Sequence, residues 1–150
     1  MRIFESLSDL KAAVGEELGT SEWLEIDQAR IDQFAEATGD HQWIHTDPEK
    51  AAAGPFGTTI AHGYLTLSLL PMLTWQSYEV RGVAGALNYG LDKVRFPSPV
   101  TVGSKVQSTS VLTSFDEFEG GAQAVVTCTI AIEGQDKPAC VAATIVRFFA

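Results

Sequence analysis

The chain is poor in cysteine and in positive charge, and it has no long hydrophobic run. Only Cys128 and Cys140 occur in 150 residues, far below the density of a disulfide-stapled secreted scaffold. The N-terminal Met1-Arg2-Ile3-Phe4-Glu5 lacks a basic stretch followed by an apolar one. Both thiols therefore read as reduced core residues of a cytoplasmic protein. Ten Lys and Arg against nineteen Asp and Glu leave a net charge of −9, which weighs against nucleic acid or an anionic membrane as the main partner. The most apolar segment, Ile60 to Trp75, is interrupted by His62, Thr66, Ser68 and Pro71 and is too short and too polar to span a bilayer. Repeats, low-complexity tracts and internal linkers are missing as well.

What is present suits one globular domain over residues 1–150, with 45% hydrophobic and 19% charged residues. Trp23-Leu24-Glu25-Ile26 reads as a short strand. Asp27 reads as the N-cap of a helix carrying Ile31, Phe34 and Ala35 at helical spacing, which Gly39 ends. The stretch from Gly39 to Pro48 then reads as a loop, and Asp47-Pro48 as the cap and first residue of a short turn through Ala53. A long helix is predicted from about His62 to Tyr78. Its apolar residues cover almost the whole circumference, so other elements must wrap it, and Pro71 is expected to bend it. Leu87–Val94, Lys105–Phe115, Ala122–Ile132 and Ala139–Phe148 read as strands separated by turns. Helices first and four long strands after predict an α+β fold, an antiparallel β-sheet with the helices on one face and the long helix inside it.

The candidate chemistry lies in Gly39-Asp40-His41-Gln42-Trp43-Ile44-His45. On a helix, residues five apart point about 140° away from each other. With the helix ending at Gly39, Asp40 and His45 are free to converge, and a carboxylate beside an imidazole offers an acid–base pair. The second piece is Ile60-Ala61-His62-Gly63-Tyr64. Gly63 opens the buried helix, where backbone N–H groups lack internal partners and a glycine admits a ligand close to the chain.

Phe34-Ala35, Thr38-Gly39-Asp40, His45, Asp47-Pro48, Ile60-Ala61-His62-Gly63 and Val94-Arg95-Phe96 with Pro99-Val100 together resemble the MaoC-like dehydratases, which include the (R)-specific enoyl-CoA hydratases. The resemblance runs from Trp23 to Phe96, about half of the chain, and the strand order extends it to nearly all. It implies a hot-dog fold, a long central α-helix wrapped by the antiparallel sheet, and a homodimer. It implies (R)-specific hydration of trans-2-enoyl-CoA, or the reverse dehydration, with Asp40 and His45 activating water and the Gly63 N–H polarising the thioester carbonyl. The substrate would be an acyl-CoA or an acyl-carrier-protein thioester, with no further cofactor. Gln42 and Trp43 stand where the family usually has Asn and Pro, and are expected with Ile60, His62 and Tyr64 to touch substrate. Arg95 is expected to hold carrier phosphates or an internal ion pair, with Lys93 and Lys105 as alternatives.

Taken alone, Asp40 reads as a turn residue and His45 as a hydrogen-bonded structural histidine; the catalytic reading rests on the whole pattern. His41, His45 and His62 match no helical metal-ligand spacing. Asp116, Glu117 and Glu119 read as a solvated turn. Two other functions fit the same segments: a hot-dog thioesterase, and a non-catalytic acyl-thioester-binding subunit of a heterodimeric dehydratase. Retention of both Asp40 and His45 argues for the hydratase.

Overall fold

A computed structural model describes residues 1–150. In chain order the elements are β1 (Arg2–Phe4), α1 (Leu7–Ala12), β2 (Glu17–Thr20), β3 (Leu24–Glu25), α2 (Gln28–Thr38), α3 (Trp43–Thr46) and α4 (Pro48–Ala52). Then follow α5 (Gly63–Ser68), α6 (Leu70–Ser77), β4 (Tyr78–Val80), β5 (Gly85–Arg95), β6 (Lys105–Phe118), β7 (Gly121–Ile132) and β8 (Cys140–Phe149). The main sheet has the order β2-β6-β7-β8-β5, all antiparallel, with β3 also paired to β6. Only β1 and β4 pair in parallel, in a small sheet of their own.

Strand period two sets the core. Along β7, Ala122, Ala124, Val126, Cys128, Ile130 and Ile132 are buried and alternate with half-buried residues. From Ala124 onward those side chains meet Leu65, Leu69, Leu70 and Leu73 of the helical segment and Ile31 of α2 in one cluster. The helices thus lie on one face of the antiparallel sheet, as the α+β reading requires. Cys128 and Cys140 are free and buried within this arrangement, and burial pushes both thiols up, Cys140 to about 11. No helix is long and apolar enough to cross a membrane.

The predicted long helix needs three corrections. It is two segments, α5 and α6, joined at Leu69. Pro71 supplies no N–H for the carbonyl of Leu67 and its ring crowds that group, so the break falls where the proline acts. The helix stops at Ser77, and Tyr78 begins a strand. It is also not wrapped on all sides: Tyr64 and Trp75 are 72% and 73% exposed. The sheet covers one face of this helix and the other looks outward. A further difference is that β6 continues through Phe118, so Asp116 and Glu117 are strand residues. Glu117 there binds Lys11 at 2.7 Å.

Candidate active site

The site begins where α2 ends. Asp27 caps its N-terminus, its side chain accepting from Arg30 N–H at 2.9 Å. Gly39 closes it in the left-handed region at φ 80°, its N–H bonded to Ala35 O, a conformation that favours glycine. Asp40 follows at once, exposed, with its carboxylate accepting the Gln42 N–H at 3.3 Å. The segment to Pro48 is not wholly a loop as expected. Trp43–Thr46 closes one helical turn, α3, because the Gln42 carbonyl accepts from both His45 and Thr46 N–H. Asp40 lies outside that turn and His45 within it, so the 140° divergence of a continuous helix does not arise.

Residues 60–63 form a strap across His45. Ile60 N–H donates to Ile44 O at 3.0 Å and Ala61 N–H to Val100 O at 2.8 Å. The Ile60 carbonyl lies 2.7 Å from Nδ1 of His45, which is 6% exposed. A carbonyl only accepts, so Nδ1 carries the hydrogen and Nε2 keeps its lone pair. Burial, the largest effect, lowers the His45 pKa; the bond to Ile60 opposes this, neighbouring His62 lowers it further, and Asp40 raises it. His62 stacks on His45 with ring centroids 3.8 Å apart. One oxygen of Asp40 and one nitrogen from each of the two rings lie within 4.8 Å of one another.

Three such atoms suggest a metal centre, but the stacking does not suit one. Two imidazoles on one ion aim their in-plane lone pairs at a point. Stacked rings 3.8 Å apart and only 24° from parallel keep those lone pairs in two nearly parallel planes, which do not readily share one point. The arrangement is better suited to gripping a water molecule and moving its proton.

Beside His45 is a cavity of about 310 Å³, lined among others by Phe56, Ile60, Gly63, Thr66 and Phe96. Gly63 is the first residue of α5, so its N–H has no acceptor within the helix. A Cβ there would lie 3.2 Å from the Phe96 ring, so glycine is what lets this aromatic residue close over the helix start. Of the other expected contacts, Ile60 borders the cavity. Gln42 is exposed and serves the site through its backbone. Trp43 packs away from the cavity, against Gly54 and with Lys50 Nζ 4.9 Å from its ring centroid. Tyr64 sits outside, edge-on to Phe96 at 6.3 Å. Arg95 is exposed and bonds its neighbour's carbonyl, Val94 O, at 2.7 Å, with no carboxylate partner; the internal ion pair is not formed.

Sequence reasoning missed Gln28 and Thr59. The Gln28 side chain donates to His45 O and Asp32, both at 2.8 Å, and accepts from the buried Thr59 hydroxyl. It therefore holds the backbone of α3 from α2. A glutamine after an N-cap carries no signal of this; only the packing of α2 on α3 reveals it.

The profile of the MaoC-like domain matches residues 9–135. The chain belongs to the MaoC-like dehydratase family. It is 60% identical, over the full length of both chains, to the 3-hydroxyacyl-thioester dehydratase Z of Mycobacterium tuberculosis strain H37Rv. It is 48% identical to nodulation protein N of Rhizobium leguminosarum bv. viciae, over 95% of this chain and 92% of that one. Among solved structures, the (R)-hydratase from A. caviae involved in PHA biosynthesis superposes with a TM-score of 0.72 at 26% identity, over 89% of this chain and 94% of that one. The antiparallel sheet with its helix is thus the hot-dog fold, and the chain is an enzyme of the hydratase–dehydratase class, as its motifs led one to expect.

Proposed function

We propose that this MaoC-like enzyme catalyses the reversible hydration of trans-2-enoyl-CoA to (R)-3-hydroxyacyl-CoA in fatty-acid metabolism, in the cytoplasm and without a cofactor. The observation that carries the reading is that the Asp40 carboxylate lies within 4.8 Å of the His45 ring, and that His45, though not Asp40, lines the cavity that Gly63 borders. The name of the mycobacterial relative supports a thioester substrate, and that of the A. caviae structure supports the (R) product.

In the hydration direction, Asp40 and His45 hold one water against the β-carbon. As the C–O bond forms, His45 accepts the water's proton on its Nε2 lone pair while Asp40 holds the water, and the C=C electron pair moves toward the carbonyl. The Gly63 N–H meets the oxygen on which charge develops; such a donor typically contributes about 2.7–4 kcal/mol to the transition state. His45 then delivers a proton to the α-carbon, so H and OH have been added and both side chains are restored. Arg95 is available for the carrier phosphates.

The same reading includes a homodimer. β5 is an edge strand paired only on its β8 side, and it exposes Leu87, Tyr89 and Leu91. A mostly apolar trough of about 730 Å³ runs between it and α6, bordered by Pro71 and Trp75. An open edge beside an apolar trough is what a second copy covers when it adds its own β5 through a two-fold axis.

Incubation of the pure protein with trans-2-enoyl-CoA substrates of graded length, with chiral analysis of the product, tests the function. Loss of enoyl absorbance and an (R)-3-hydroxyacyl product are expected. Free thiol release without that loss identifies a thioesterase instead, and an (S) product overturns the stereochemical assignment.

A further inference from the structure

We infer that His62 is a positioning residue that locks Asp40 and His45 into one assembly, the first through its backbone and the second through its ring. The inference rests on the dehydratase reading for the roles of those two residues. It also replaces the expectation that His62 touches substrate: its side chain lies behind His45, 3% exposed, and does not border the cavity.

Three contacts carry it. His62 Nε2 lies 2.9 Å from the backbone carbonyl of Asp40. That oxygen can only accept, so Nε2 carries the hydrogen and Nδ1 is a bare lone pair. The second contact is the stack on His45 at 3.8 Å. The third is Phe34 of α2, whose ring centroid lies 4.9 Å from that of His62 at 57°. The imidazole is therefore held between α2 and α3 with its one donor turned to the Asp40 segment.

The other nitrogen sharpens the point. His62 Nδ1 is buried and has no hydrogen-bond partner, a costly condition for a polar atom. A phenylalanine would fill the same slot without that cost. What the imidazole adds over such a ring is the N–H to Asp40. Asp40 needs this tie, because it is exposed, directly follows a helix end, and has its carboxylate bonded only to Gln42 N–H. The strap residue Ile60 meanwhile aims His45 through its carbonyl. One short segment thus sets both members of the pair, Ile60 by its backbone and His62 by its side chain.

Three variants separate the roles of ring and donor. His62→Phe keeps a flat ring and loses the donor. It is expected to lower kcat by about a hundredfold, the scale of a ~1 Å misplacement, while KM changes by less than about threefold. His62→Gln places an amide donor about where Nε2 lies, and His62→Asn falls short of it. The Gln variant is expected to exceed the Asn variant in kcat by about tenfold or more. Wild-type kcat in the Phe variant, or equal turnover in Gln and Asn variants, overturns the inference. Where a variant does not fold, ring ¹⁵N shifts of the wild-type enzyme decide. A hydrogen on His62 Nε2 is expected, and a bare Nε2 overturns the assignment. Retained activity in Asp40→Asn and His45→Gln would instead sink the dehydratase reading. Inactivity there with wild-type behaviour at position 62 sinks the His62 assignment alone.

Discussion

The imidazoles of His45 and His62 lie face to face, 3.8 Å between centroids and 24° between planes, each tied by one nitrogen to a backbone carbonyl. Each bond requires a hydrogen on the nitrogen that makes it, and a second proton on the buried His45 ring would set a cation against its neighbour. With burial the largest cause, the His45 pKa is lowered. The acid limb of kcat/KM, which reports the free enzyme, is therefore expected below the ordinary imidazole value of about 6.5. Stability has the same sign. Between the ordinary and the lowered value the unfolded chain binds more protons, so this contribution is complete above about pH 6.5 and is lost as pH falls through the folded value. An acid limb at or above pH 6.5 contradicts this.

Asp40→Asn and His45→Gln should each reduce turnover of a crotonyl thioester by at least about a hundredfold, since each removes an acid–base role worth roughly 10²–10⁴. Circular dichroism should remain that of the wild type for Asp40→Asn, because the Asp40 side chain is exposed and bonds only one N–H. Near-normal turnover in both variants removes the pair from the mechanism.

Gly63→Ala keeps the backbone N–H but places a methyl group 3.2 Å from the Phe96 ring. The ring must give way by a few tenths of an ångström, at the low end of the roughly 1–3 kcal/mol that overpacking costs, because Phe96 is 41% exposed. A lower Tm is expected, with KM for short enoyl thioesters raised as Phe96 shifts at the cavity wall. An unchanged Tm together with an unchanged KM shows that Phe96 yields freely and does not shape the cavity.

Arg95→Ala should raise KM for the CoA thioester by more than it lowers kcat, because the guanidinium is exposed and has no carboxylate partner. Equal KM values for the variant and wild type exclude a phosphate-binding role.

Leu87→Glu with Leu91→Glu places like charges along the open edge of β5. Light scattering of the wild type is expected to give twice the chain mass, and the double variant half of that. A wild-type monomer, or a variant dimer as stable as wild type, shows that copies do not meet at this edge.

The local features of this chain follow from its sequence because their causes are local. Asp27 and Asp47 both cap helices as read, Gly39 takes the left-handed conformation, and the four long strands appear within a few residues of their alternating patterns. The candidate pair was also legible, since Asp40 and His45 stand in a motif that spans Phe34 to Val100. Tertiary contacts decided the rest. The one-turn helix under His45 depends on the Gln42 carbonyl and on Gln28 reaching across from α2, and neither is visible in periodicity. The break at Leu69 needed Pro71, but the outward exposure of Tyr64 and Trp75 needed the sheet, which covers only one side of the helix. Above all, His62 meets Asp40 across a sequence separation of 22. Hydrophobic pattern and capping chemistry act over a few residues, whereas the meeting of two distant segments is settled only when the sheet and helices pack together.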